Sequence, residues 1–382
     1  MPSSLYVHVP FCEQICHYCD FNKFFLKNQP VEEYVDLAIQ EMQMTVEKYP
    51  QKHAIRTIYV GGGTPTSLDT PTLEKLLKGI KSTFTLHDEV EWTVEVNPGS
   101  ADQEKLNMLK AVGVNRLSIG AQTFDPMLLQ TINRDHKPTD VGETVQMSIQ
   151  AGITNLSVDL MFGLPNQTME QWKDTLSKLV ELPVAHVSAY SLKVEPKTVF
   201  YQLWQKGRLP LLPQELEADM YDYLKEFLGK NHFSQYEISN FAKTGKESIH
   251  NLTYWDNNEY YGIGAGAHSY VYGIRRMNHG PLPKYMKALK ASELPYLDEH
   301  PVSQVERMEE QMFMGLRKRK GISVTEFKKR FNKDVEDVFP TVVSSLREKG
   351  LLDLDGDYLL LTEKGMLLGN EVFEQFLLTE ED

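Results

Sequence analysis

The chain has 382 residues, 41% of them hydrophobic and 24% charged, which is enough apolar material for a large core and room for two domains. A net charge of −13 excludes broad binding to a nucleic-acid phosphate backbone, and no apolar run is long enough to span a bilayer. Three cysteines, all between positions 12 and 19, exclude a disulfide framework and point to a reducing, cytoplasmic setting. The opening Met1-Pro-Ser-Ser-Leu lacks the charged and apolar regions of a signal peptide, so membrane contact is expected to be peripheral at most.

Short apolar or β-branched runs predict strands at Leu5–Val9, Thr57–Val60, Glu91–Val96, Arg116–Ile119, Leu156–Leu160 and His186–Tyr190. Helical periodicity between them predicts helices at Val31–Tyr49, Pro71–Phe84, Gln103–Val112, Thr139–Ala151 and Met169–Leu182, with Thr70 as a cap and Ala151-Gly152 as a stop. Six β/α repeats imply a parallel sheet with right-handed crossovers, and such folds carry their sites at the C-terminal ends of the strands. The unusual residues do sit there: the cysteine loop, Gly61-Gly-Gly-Thr-Pro65, Glu95-Val-Asn-Pro98, Gly120-Ala-Gln122 and Asp159–Pro165. Past residue 200 come a charged helix over about Pro213–Gly229 and an aromatic-rich stretch from Gln235 to Tyr272. From Val302 on, the pattern reads helix, helix, helix, a hairpin around Asp355-Gly356 and a last helix, an order like a winged helix. The expected architecture is α/β: a partial (β/α)6 barrel over 1–235, a connecting segment over 236–300 and a mostly helical, winged-helix-like domain over 301–382. The acidic total favours a packing or lid role for the last part over nucleic-acid binding, and Arg317-Lys-Arg-Lys320 reads as a solvated helix end.

Cys12-x3-Cys16-x2-Cys19 can hold three corners of a [4Fe–4S] cube and leave the fourth iron open. A zinc site is the alternative and needs a fourth ligand, for which His8 and His17 lie near enough in sequence. The triple glycine lets backbone approach a ligand, but it is neither a dinucleotide fingerprint nor a lysine-bearing phosphate loop. Glu95, at a strand end, suits ribose hydroxyls. His250 could ligate heme iron, with Tyr254 and Trp255 covering a porphyrin face and Asn251 orienting the ring. The same residues also read as a core histidine beside an aromatic cluster, and His268, His279 and His8 are rival ligands.

These residues resemble the radical S-adenosylmethionine (SAM) superfamily. Tyr-Val-His-Val-Pro-Phe-Cys at 6–12 and the cysteine spacing look like its coproporphyrinogen dehydrogenase group, over nearly the whole chain. Within that group His250-Asn251-Leu-Thr-Tyr254-Trp255 is similar to the H-N-x-x-Y-W motif of the heme-chaperone branch. Two departures from the oxidising enzyme agree: Phe21 stands where that enzyme has a fourth cysteine, and the cysteines come almost at once, so its N-terminal extension is expected to be missing. The resemblance implies that Cys12, Cys16 and Cys19 ligate a [4Fe–4S] cluster whose open iron takes SAM, from which the family releases a deoxyadenosyl radical. It also implies SAM contacts at Tyr6, Tyr18, Gly62, Gly63, Thr64, Glu95, Gln122, Arg134, Asp159 and Ala189, with a structural ion pair or cap left open for Arg134 and Asp159. Heme contacts are implied at His250, Asn251, Tyr254 and Trp255. The implied function is a heme chaperone, with heme as cargo handed to membrane cytochromes or other apoproteins and with no productive dehydrogenase step. The alternative is oxygen-independent oxidative decarboxylation of coproporphyrinogen III. A homodimer, with a heme contact at its interface, stays open.

Overall fold

In the computed structural model, which describes residues 1–378, six parallel strands form the centre of one sheet. They are β1 (Ser4–Val9), β2 (Ile55–Gly62), β3 (Leu86–Val96), β4 (Arg116–Gln122), β5 (Asn155–Phe162) and β6 (His186–Ser191), hydrogen-bonded in chain order. The connecting helices are α1 (Val31–Lys48), α2 (Thr70–Thr83), α3 (Gln103–Val112), α4 (Pro138–Gln150) and α5 (Met169–Val180), and the charged helix α6 (Gln214–Lys230) follows β6. Every strand and helix expected in this half is present, and the strands are longer than their apolar runs because polar residues continue them. The cap of α2 is Asp69, not Thr70: Asp69 has extended backbone angles and its carboxylate accepts from the Thr72 N–H at 2.8 Å, while Thr70 is already helical. Gly152, at φ +82°, follows α4 as expected.

The stretch expected only to connect also builds the sheet. Tyr261–Ile263 adds a parallel strand beside β1, and Asn240–Ala242 with Ser234–Glu237 adds antiparallel strands beside β6. The two ends of this sheet are not paired with each other, so the barrel is open on one side. One face carries Leu5, Val7, Ile58, Val60, Val94, Leu117, Ile119, Val158 and Val187, all fully buried in the core with the helices. The strand period of two turns the alternate residues to the concave side.

The C-terminal part has its own apolar core, including Met312, Phe327, Phe339, Leu346 and Leu359. Its helices Gln304–Gly315, Val324–Phe331 and Pro340–Glu348 pack on three short strands, among them the hairpin Leu352–Asp355 and Tyr358–Leu361. The basic run that reads as a solvated helix end is engaged instead. Arg317 lies over the Trp255 ring at 4.5 Å, Lys318 pairs with Asp256, Arg319 pairs with Glu363 and Lys320 lies over Tyr358 at 4.4 Å. Arg317 and Lys318 dock the C-terminal part on the short helix α7 (Ile249–Trp255), while Arg319 and Lys320 are held within that part, so the run does not face a polyanion. Among the described residues no helix is long and apolar enough to cross a membrane.

Candidate functional site: a cavity at the strand ends

The concave side of the barrel holds a cavity of about 430 Å³ lined by all three cysteines and by Tyr18, Tyr59, Gly62, Gly63, Thr64, Glu95, Arg116, Ser118, Gln122, Arg134, Asp159, Ser188, Tyr190 and Asn251. Backbone bonds fix the cysteine loop at its mouth. Phe11-Cys12 pairs with Phe24-Phe25, Leu26 N–H donates to the Cys12 carbonyl at 2.8 Å, and the Asn133 side chain donates to the Ile15 carbonyl at 2.8 Å. The Thr64 hydroxyl points at Cys12 Sγ from 3.8 Å. Burial pushes the Cys12 thiol up to about 11, against the lowering effect of the Thr64 bond, and burial also raises Cys19. Buried thiols of this kind ionise once cationic iron sits against them.

The zinc alternative finds no ligand set. Among the described residues no three His, Cys, Asp or Glu side chains converge as a single metal ion requires. Both His8 nitrogens are taken, by the Tyr6 hydroxyl at 2.8 Å and the Asn22 carbonyl at 2.7 Å, and His17 Nδ1 meets the Thr131 carbonyl at 3.1 Å. Three thiols around an open cavity fit a larger cluster instead.

The glycine run is required by close packing. Gly62 has φ +112°, and a Cβ there would lie 2.4 Å from the His8 ring; at Gly63 it would lie 2.6 Å from the Phe11 carbonyl oxygen. The freed Gly62 N–H donates to Glu95 at 3.1 Å, and Tyr59 donates to its other oxygen at 2.8 Å. Burial outweighs these bonds and raises the Glu95 carboxyl to about 7. Asp159 accepts from Ser118 at 2.9 Å and is also raised by burial. Arg134 donates to Asn97 at 2.6 Å and to the Tyr18 hydroxyl at 3.4 Å, and its Nε is buried without a partner. Gln122 reaches the cavity from a left-handed backbone, φ 64°, after an irregularity in β4. Two carboxylates and a guanidinium whose Nε is buried and unpaired suit a ligand that carries both an ammonium and a carboxylate, as the methionine end of SAM does.

Several expected contacts lie elsewhere. Ala189 packs in the apolar core, because the period of two turns Ser188 and Tyr190, not Ala189, to the cavity. Tyr6 lines a separate groove on the open side of the barrel. The four motif residues on α7 do not converge on one face. Asn251 closes the deep end of the cysteine cavity, Tyr254 lines the lateral groove, and Trp255 lies under Arg317. His250 is 1% exposed, with Nδ1 bonded to the Thr57 hydroxyl and Nε2 to the Tyr254 hydroxyl at 2.9 Å. Burial, helped by the Arg116 charge, lowers it to about 3, so the ring is neutral. An axial-ligand role would need one of those bonds to break, since neither nitrogen faces a cavity. Ser118, Ser188, Tyr190, Tyr59 and Arg116 also line the cavity and belong to no motif; the sequence signal for them is the alternation of polar with apolar residues along the strands.

Residues 6–179 match the radical SAM superfamily and residues 302–368 match the HemN C-terminal domain. The chain is 48% identical over 375 residues to the heme chaperone HemW of Bacillus subtilis (strain 168), covering 98% of this chain and 99% of that one. The chain belongs to the HemW family of radical SAM proteins. It is 43% identical to the heme chaperone HemW of Lactococcus lactis, with 99% and 98% of the two chains covered. A solved structure of HemN from Escherichia coli, described as a coproporphyrinogen III oxidase and radical SAM enzyme, superposes with a TM-score of 0.86 at 23% identity, covering 98% of this chain and 90% of that one. That likeness fixes the fold of the HemW-family chain. Radical SAM proteins work with a [4Fe–4S] cluster and SAM, and the thiols and carboxylates of this cavity fit both.

Glu95→Gln in the cluster-bearing protein should weaken SAM binding about tenfold, the loss of one charge-assisted contact. Because the carboxyl titrates at about 7, SAM affinity of the parent should rise as pH increases through that value, and the glutamine variant should be flat. Titration calorimetry from pH 6 to pH 8 reads both; equal affinities and equal slopes would remove Glu95 from the site.

Proposed function

We propose that this HemW-family chain is a heme chaperone, with a [4Fe–4S] cluster on Cys12, Cys16 and Cys19, SAM against Tyr18, Gly62, Gly63, Thr64, Glu95, Gln122, Arg134 and Asp159, and heme as cargo. The observation that carries this reading is similarity along the full length: relatives named as heme chaperones share 48% and 43% identity over at least 98% of both chains. Phe21, exposed beside the cluster loop in place of a fourth cysteine, adds support. When bound, the cluster supplies low-potential electrons to SAM. The protein's own part is to fix the three thiols on a loop sewn to its neighbours, to present carboxylates to the ligand, and to keep water off the deep end with Tyr59 and Asn251. Recipients would be apo-cytochromes, reached in the cytoplasm or by peripheral contact with a membrane, and a homodimer would be compatible with this role.

The oxidative decarboxylation of coproporphyrinogen III is the second reading. It rests on HemN alone, whose likeness at 23% identity extends to the fold.

Titration of the purified, reconstituted protein with heme is expected to saturate at one heme per chain, and the loaded protein should pass heme to an apo-cytochrome. An unsaturable titration would end the chaperone reading. Anaerobic turnover of coproporphyrinogen III with SAM and reductant, above that of a Cys16→Ser control, would put the second reading first.

A further inference from the structure

The barrel's open side carries a second concavity that the SAM site does not use. It measures about 530 Å³, within the range of ~300–1,000 Å³ usual for small-molecule and cofactor sites. Its walls come from β1, from Asp20-Phe21-Asn22 just past the last cysteine, from Tyr254 of the motif helix, and from the sheet that carries His268, Met277 and Leu297. Phe21 is 62% exposed and Leu297 52% exposed, so two large apolar side chains face water across this groove.

We propose that this lateral groove is the heme site and that His268 is the axial ligand to the iron. The proposal rests on the chaperone reading above and gives it a place. His268 is the histidine whose situation suits ligation. Its ring is exposed in the groove and makes no side-chain hydrogen bond among the described residues. Partial desolvation against the groove wall and the nearby Arg275 charge hold its pKa below the usual value, which keeps the imidazole neutral and a lone pair free near pH 7. His250 and His8, by contrast, have both ring nitrogens bonded.

The surroundings suit a flat apolar disc. Met277 stands directly opposite His268 on the adjacent strand, which puts thioether and imidazole side by side on one face. Tyr254, Phe21 and Leu297 supply aromatic and aliphatic surface around it. The groove lining holds one carboxylate, Asp20, and no lysine or arginine, so heme would enter by its vinyl edge and leave its propionates in solvent. A larger cavity of about 910 Å³ between α7 and the C-terminal part has no imidazole in its lining and several cations, which suits heme iron less.

The placement also gives the motif a physical role. His250 holds the Tyr254 hydroxyl at 2.9 Å, and Tyr254 is a wall of the groove. His250 is then a positioning residue. Asp20 and Phe21 line both the cysteine cavity and the groove, so the loop that holds the cluster is also a wall of the proposed heme site.

The test is heme titration of the reconstituted protein, read by absorption and EPR, for the parent and for His268→Ala, Leu297→Asp and His250→Gln. The parent should saturate with the spectrum of an imidazole-ligated heme. His268→Ala should lose that spectrum and bind at least tenfold more weakly, and Leu297→Asp should weaken binding by a similar factor while keeping the imidazole spectrum. His250→Gln should retain the imidazole spectrum. His268 and Leu297 are exposed, so their replacement leaves the fold intact and a negative result is readable. A parent that binds heme while His268→Ala keeps the same spectrum and affinity overturns this site and leaves the chaperone reading standing. Loss of the imidazole spectrum in His250→Gln, with His268→Ala unchanged, would do the same. A parent that does not bind heme saturably overturns both.

Discussion

Cys16→Ser should leave the protein folded and strip it of its four-iron signal. Cys16 is half-exposed on a loop at the mouth of the cavity, so the exchange of sulfur for oxygen disturbs no core contact. The loop is held without it, by the Phe11-Cys12 pairing with Phe24-Phe25, by Asn133 on the Ile15 carbonyl and by the Lys23 ammonium on the Cys19 carbonyl. A serine hydroxyl is a poor ligand for the soft iron of a cluster. Even residues that only support metal ligands typically change affinity by 10–100-fold, so loss of a ligand should lower bound iron and sulfide at least about tenfold after anaerobic reconstitution. Iron and sulfide analysis with EPR, with and without SAM, reads the result. A four-iron spectrum as strong as the parent's, still responsive to SAM, would remove Cys16 from the cluster.

Glu41→Ala should cost more stability than any substitution in the cavity. Glu41 is fully buried on α1, and its carboxylate accepts from the Gly264 N–H at 2.8 Å, the Asn278 amide at 2.6 Å and the Tyr285 hydroxyl at 2.5 Å. These partners lie more than two hundred residues along the chain, so one side chain clamps the segment behind the lateral groove to the first helix. Alanine would strand three buried donors, each at about 1–3 kcal/mol, for a total of at least about 3 kcal/mol. That is a large share of the ~5–15 kcal/mol by which a folded chain exceeds its unfolded state. The pH dependence carries a second signature. Burial raises the Glu41 carboxyl from 4.5 to about 7, so the folded state binds the proton more tightly than the unfolded one. Its contribution is therefore full below about 4.5 and declines as pH rises through about 7. Urea denaturation of parent and variant at pH 5 and pH 8 should show a smaller difference between them at pH 8. Equal midpoints at both values would show that the clamp contributes nothing.

The sequence by itself determined the six strand–helix repeats, the cysteine triad at a strand end and the glycine run after β2. These are local signals: a period of two or of 3.6, and a ligand spacing inside eight residues. It also carried the winged-helix order of the last part, whose hairpin lies where Asp355-Gly356 predicts a turn. Tertiary structure alone decided the rest, because each outcome depends on contacts between residues far apart in the chain. Only closure of the sheet decides that Ser188 and Tyr190 face the cavity and Ala189 the core. Only the docking of α7 against β2 seals His250, which helical spacing already sets beside Tyr254, against Thr57, a partner 193 residues away that no periodicity announces. Likewise the run from Arg317 to Lys320 reads as solvated until Trp255, Asp256, Glu363 and Tyr358 are brought to it. Local pattern records what a residue can become, and burial with its distant partners sets what it is.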